Sequence, residues 1–176
     1  MWQLDCYLII PHPAESRVLL LPDTAGWSLP QVHVNVEGAQ DEMHLLRPAI
    51  RERFGADVTG LRRVYTQVDD QAQRADVIQF LENHSAVTNI SAGKWFSREQ
   101  LAELALVRPE QRGFMAEALA ERAGAPPPEQ RAPWARPGWF AQAAAWTERQ
   151  LAQRGYQLAA PVEQYRSSSI SCVLRA

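Results

Sequence analysis

Gly26-Trp27-Ser28-Leu29-Pro30-Gln31-Val32-His33-Val34-Asn35-Val36-Glu37-Gly38, and then Met43 to Phe54 closed by Gly55, is the stretch on which the reading of the whole chain turns. Val32, Val34 and Val36 alternate with His33 and Asn35, and this period of two predicts a half-buried strand over 32–36, ended by Gly38. From Asp41 to Phe54 the period changes. Met43, Leu45, Leu46, Ala49, Ile50 and Phe54 recur at helical spacing, and Gly55 is placed to cap the helix. Pro48 lies awkwardly inside it, because it has no N–H to give to the His44 carbonyl and its ring crowds the preceding turn, a cost of about 3 kcal/mol. Two alternatives follow: a kinked helix, or a helix that starts at Pro48.

Upstream, residues 2–10 and 17–21 are apolar and partly β-branched around the turn Pro11 to Ser16, which predicts two strands. A short third segment falls at Trp27-Ser28-Leu29-Pro30. Downstream, 61–69 and 75–82 read as a hairpin around the polar turn Asp70 to Arg74. Ser97-Arg98-Glu99-Gln100 has the form of a capping box and predicts a helix carrying Leu101, Leu104 and Leu106. A second helix is expected over about 109–123. Then comes a Pro-rich run, Gly124 to Pro133, with nothing to bury, which places a linker at 125–136 between a domain at 1–124 and a segment at 137–176. That segment reads as an Ala-rich amphipathic helix over 138–153 and short strands at 161–166 and 169–174. Forty residues are too few for an independent core, so the segment must dock on the first domain, on another chain, or open a further domain.

Composition bounds the function. The 176 residues are 46% hydrophobic and 22% charged, as in a globular protein with room for one domain. A net charge of -2 provides no overall basic field for nucleic acid or an anionic membrane, and neither partner is expected. Lys94 is the single lysine among 18 basic residues, a bias that points to base composition before function. Cys6 and Cys172 lie far apart without ligand spacing to any His, so two buried, reduced thiols are expected. No basic leader precedes the apolar runs, which are far shorter than a membrane span, and a cytoplasmic protein is expected.

The order of strands, Trp-x-Leu-Pro, strand, helix ending at Gly55, hairpin and Lys94-Trp95-Phe96-Ser97 resembles the Nudix family over roughly residues 1–122. That resemblance implies an α/β/α sandwich with a mixed sheet, here with an appended helix and short strands. It also implies a helix whose glutamates hold Mg²⁺ against a diphosphate. Aligned on Gly55, Ile50 and Glu52 fall on matching positions of the family's box. Val34 takes its glycine, Gln40 its first glutamate, Pro48 its arginine, Ala49 the next glutamate and Arg53 the second of the glutamate pair; Glu37 matches a glutamate frequent in the loop. Carboxylates at i, i+3 and i+4 share one helix face, and here that face carries Ala49, Glu52 and Arg53. An arginine about 4 Å from a divalent ion costs on the order of 8 kcal/mol at an effective dielectric of 20.

Three functions are then to be weighed. The first is a degenerate Nudix module with weak or no hydrolysis, binding a nucleotide-like or phosphorylated ligand through Arg47, Arg51 and Arg53 with His33, His44 and Glu37, since Arg forks match such anions without metal. The second is a divergent Mg²⁺-dependent hydrolase of a nucleoside-diphosphate-linked substrate, with Glu52 catalytic and Glu52 and Glu82 as metal ligands, assisted by Asp41 or Glu42. The third concerns the tail. Pro133 to Phe140, the helix after it, and Pro161 to Arg175 resemble the opening of an aminoglycoside-phosphotransferase-like kinase lobe, without a nucleotide-binding lysine or catalytic aspartate. This implies a docking module of a phosphotransferase, or a homodimer, meeting its partner through Trp139 and Trp146, with Trp134 alongside.

Overall fold

A computed structural model describes residues 1–37, 43–86, 90 and 93–176. Gly38, Gln40, Asp41 and Glu42, which enter the sequence reading above, lie outside the described residues.

Strand β1 (Trp2–Ile9) is central. It pairs antiparallel with β4 (Gln31–Val36) and parallel with β6 (Arg74–Asn83), and β6 pairs with β5 (Val58–Asp69), giving a mixed sheet in the order β4-β1-β6-β5. A smaller sheet joins β2 (Arg17–Asp23) to β3 (Gly26–Ser28) and to β7 (Lys94–Ser97). Being central, β1 is covered on both faces, which is why its second half, Cys6 to Ile9, is a continuous apolar run and not an alternation. Leu4, Cys6 and Leu8 point to one core and Tyr7 and Ile9 to the other.

Helix α1 (Met43–Phe54) closes the first core with Met43, Leu46, Ile50 and Phe54, a stripe at helical spacing. It runs through Pro48, so the alternative of a helix beginning at Pro48 does not hold: burial of that stripe, at about 1.5–3 kcal/mol per large apolar side chain, outweighs one lost backbone hydrogen bond. Gly55 ends it in the left-handed region (φ 65°), its N–H donating to the Arg51 carbonyl at 2.9 Å.

The second core is closed by α2 (Arg98–Glu103), a 3-10 turn at Pro109–Gln111 and α3 (Arg112–Arg122), through Leu101, Met115, Ala118 and Leu119. The mixed α/β sandwich is thus as expected. The Ser97 capping box forms, with both of its reciprocal bonds. The helix it opens is shorter than expected, however: it stops at Glu103, Leu104 is its cap, and Leu106 instead bridges to Trp27, whose N–H donates to the Ala105 carbonyl.

Beyond the Pro-rich stretch, α4 (Trp139–Gln153) and the hairpin of β8 (Glu163–Ser167) and β9 (Cys172–Arg175) complete the chain. The hairpin docks beside the edge strand β5. Gln164 is 2% exposed, and its side-chain amide accepts from the Gly60 N–H at 2.6 Å and donates to the Gly60 carbonyl at 2.8 Å, extending the sheet edge by one backbone-like rung. A Cβ at position 60 would stand 2.6 Å from the Met43 sulfur of α1, so any larger residue there would push that side chain aside. Neither cysteine is in a disulfide; Cys6 is buried, and Cys172 is half-buried where a buried thiol was expected, burial raising its pKa. No described helix is long and apolar enough to cross a membrane.

Candidate functional site

The outward face of α1 and the β8–β9 hairpin enclose a cleft of about 580 Å³. From α1 come His44, Arg47, Pro48, Arg51 and Glu52; from the hairpin come Glu163, Gln164, Tyr165 and Arg175. The cleft follows from two local facts. The stripe buried by α1 turns the i, i+4 pair Arg47 and Arg51 away from the core, and the Gln164 clamp holds the hairpin opposite them. His44 stacks on Tyr165, ring centroids 4.8 Å apart and planes within 16°, joining the two walls.

Arg51 donates to Asp57 at 2.7 Å, and Arg47 reaches the same oxygen at 3.5 Å. Burial raises the Asp57 pKa, but the Arg51 hydrogen bond and the two arginine charges outweigh it and leave the group below its ordinary value. Arg175 binds Glu163 at 2.7 Å, which lowers the Glu163 pKa. Arg47 is not fully engaged: its side chain is only 15% exposed, and its Nε has no hydrogen-bond partner among the described residues. Glu52 is exposed and enters no hydrogen bond or ion pair among them.

The other sequence candidates are elsewhere. Arg53 lies about 200° around the helix from Arg51, at 100° per residue, and donates to the Gln31 carbonyl of β4 at 2.8 Å. His33 sits on the sheet face away from α1, where its Nδ1 meets the fully buried carboxylate of Asp5, which also holds Arg74. Glu37 is exposed just beyond β4. Glu82 is not a solvated strand end: its side chain is 14% exposed, and it accepts from the Gly138 N–H at 2.7 Å, a carboxylate at the N-terminus of α4 where the helix dipole favours it. Only Arg47, Arg51, His44 and Glu52 of the candidates are thus brought together. Asp57, Glu163, Tyr165 and Arg175 were missed, and no local periodicity marks them.

The described residues do not fit a Mg²⁺ site of the implied kind. The α1 face that should carry three carboxylates carries Ala49, Glu52 and Arg53, with Arg53 donating to the Gln31 carbonyl, and among the described residues no group of three His, Cys, Asp or Glu converges. Arginine in a ligand position repels a divalent ion where a carboxylate would attract it.

No family model and no curated protein sequence matches the chain. Among solved structures it is similar to a protein from Sinorhizobium meliloti 1021 provisionally named an oxidoreductase, at 13% identity and TM-score 0.51, over 69% of this chain and 40% of that one. It therefore spans less than half of that protein's length. It is also similar to a NUDIX family hydrolase from Clostridium perfringens (15% identity, TM-score 0.49, 67% of this chain and 94% of that one). A third is an ADP-ribose pyrophosphatase from Streptococcus suis 89-1591 (18% identity, TM-score 0.48, 71% and 94%). Likeness at this level describes a fold and assigns no activity.

Proposed function

We propose that this chain is a ligand-binding module of Nudix-like fold that takes a nucleotide-like or otherwise phosphorylated ligand in the cleft between α1 and the β8–β9 hairpin, with weak or no hydrolysis. The observation that carries the reading is Arg47: a largely buried guanidinium lining the cleft with a donor to spare, flanked by Arg51 and Arg175. An entering phosphate would compete with Asp57 and Glu163 for these forks, and it would offer them bidentate acceptors. The cleft volume suits a ligand of nucleotide size.

The test is thermal unfolding with a panel of nucleoside diphosphate derivatives, with and without Mg²⁺, alongside an assay for released phosphate or nucleoside monophosphate. We expect a nucleotide-dependent rise in Tm that needs no metal and is lost in Arg51→Glu, with no turnover. Turnover that requires Mg²⁺ and disappears in Glu52→Gln would instead establish the divergent hydrolase.

A docking role is the second reading, and it rests on α4. None of its residues is buried, and Trp146 is 58% exposed, leaving an aromatic surface for a second copy or a phosphotransferase partner. Sedimentation of wild type against Trp139→Ala/Trp146→Ala tests for the homodimer.

A further inference from the structure

Arg47, Arg51 and Arg175 line the α1 cleft, and two carboxylates line it with them, Glu52 and Glu163. A third carboxylate, that of Asp57, takes Arg51 and Arg47 from outside the lining. Together these six side chains carry no net charge, so what an entering anion gains depends on which carboxylate gives way.

Glu52 enters no ion pair among the described residues, so its departure frees no arginine. Asp57 is fixed. Two arginines share its carboxylate, its N–H donates to the Ser85 hydroxyl at 2.8 Å, and its carbonyl accepts from the His84 N–H at 2.8 Å. Glu163 differs from both. It stands opposite Arg175 in the β8–β9 register, and the two side chains are 41% and 68% exposed. An ion pair in that setting is weak, because water competes for both ends. Glu163 also lies in the field of all three arginines: its pKa is lowered first by the Arg175 hydrogen bond and then, against the cost of burial, by the charges of Arg47, Arg175 and Arg51. Its neighbour Gln164, clamped to Gly60, holds the backbone that presents it to α1.

We propose that Glu163 is a tethered competitor of the ligand, resting this on the reading of the α1 cleft as the ligand site. The hairpin supplies Arg175 and Tyr165 to the cleft wall and, with them, a carboxylate that takes the place of the ligand's anion at Arg175. On binding, the phosphate accepts from the Arg175 fork, and the exposed Glu163 side chain changes rotamer and turns to water. No backbone bond of the hairpin breaks. The tail is thus an autoinhibitory element as well as a wall, and one of its residues sets the affinity of the cleft.

The probes are adenosine 5′-monophosphate, its 3′,5′-cyclic form and adenosine, a dianion, a monoanion and an uncharged nucleoside, titrated by calorimetry into the full chain. Glu163→Gln keeps the shape of the side chain, removes its charge and spares the core. We expect it to bind the monophosphate roughly fivefold to tenfold more tightly than wild type, the effect of lifting one unit charge from beside a dianion near solvent. The gain is smaller for the cyclic monoanion and absent for adenosine. Glu52→Gln removes the same charge from the lining but releases no arginine, and it gains less. If Glu163→Gln binds the monophosphate no more tightly than wild type, gains no more than Glu52→Gln, or gains as much for adenosine, the inference falls while the cleft stands. If neither wild type nor Glu163→Gln binds the monophosphate at millimolar concentration, the reading of the cleft falls and takes the inference with it.

Discussion

At the scale of single residues, two buried polar groups carry more of the structure than their number suggests. Gln164 supplies both partners of the Gly60 peptide at the edge of the main sheet. Gln164→Leu keeps the volume but strands a buried N–H and a buried C=O, so we expect a loss of about 2–4 kcal/mol in urea unfolding and faster hydrogen exchange at Gly60. A change under about 0.5 kcal/mol, the range of a surface substitution, would show that water replaces the amide there. Asp5 is the second. Burial raises its pKa, while hydrogen bonds with His33 and Arg74 and the Arg74 charge more than reverse this and leave it below 3.8. A carboxyl with a lowered pKa in the folded state adds stability that is complete above its unfolded value and is lost as pH falls through the folded one. Stability should therefore be level from neutrality down to about pH 4 and decline below it, with Asp57 and its arginines contributing in the same sense. Asp5→Asn should cost about 1–3 kcal/mol at neutral pH and make the acid decline shallower. Parallel acid profiles for the two proteins would exclude Asp5 as a source of it.

At the scale of elements, α1 holds the clearest local conflict. Pro48 is its sixth residue, past the first turn, so the His44 carbonyl lacks its backbone donor. Pro48→Ala restores that bond. Against a cost of about 3 kcal/mol for a helix-interior proline stands the loss of proline's restraint on the unfolded chain, near 1 kcal/mol, and we expect a net gain of about 1–2 kcal/mol in the urea midpoint. A neutral or destabilising result would show that the ring makes compensating contacts in the cleft. The proline was legible in the sequence, as were the β5–β6 hairpin and the Ser97 cap, because each is set by residues within one or two turns of one another. The cleft was only partly so. Arg47 and Arg51 were legible as a helical pair, and the 100° step could have separated Arg53 from them. What no spacing shows is that Gln164 reaches back 104 residues to Gly60 and brings Glu163, Tyr165 and Arg175 to face that pair.

At the scale of the whole molecule, the question is whether the last fifty residues form a body of their own. Helix α4 buries none of its residues fully, and the few buried groups beyond the Pro-rich stretch, Ala135, Val162, Gln164 and Ser167, make no core by themselves. What holds the segment lies in the first domain. Gln164 is clamped to Gly60, Gly138 donates to Glu82, and Arg131 pairs with Glu121, whose other oxygen holds Arg62. The dependence should be mutual, since Gly60, Glu82 and Glu121 lose partners when the segment leaves. A chain ending at Gly124 should be less stable than the full protein by at least about 3 kcal/mol, the sum of two or three such buried groups, and residues 125–176 alone should give the circular dichroism of an unfolded peptide. If the two pieces instead fold separately with the stability of the whole intact, the hairpin is an attached domain. The cleft between α1 and the hairpin, which has β8 as a wall, would then be a space between domains, open to closure and release by motion of the hairpin.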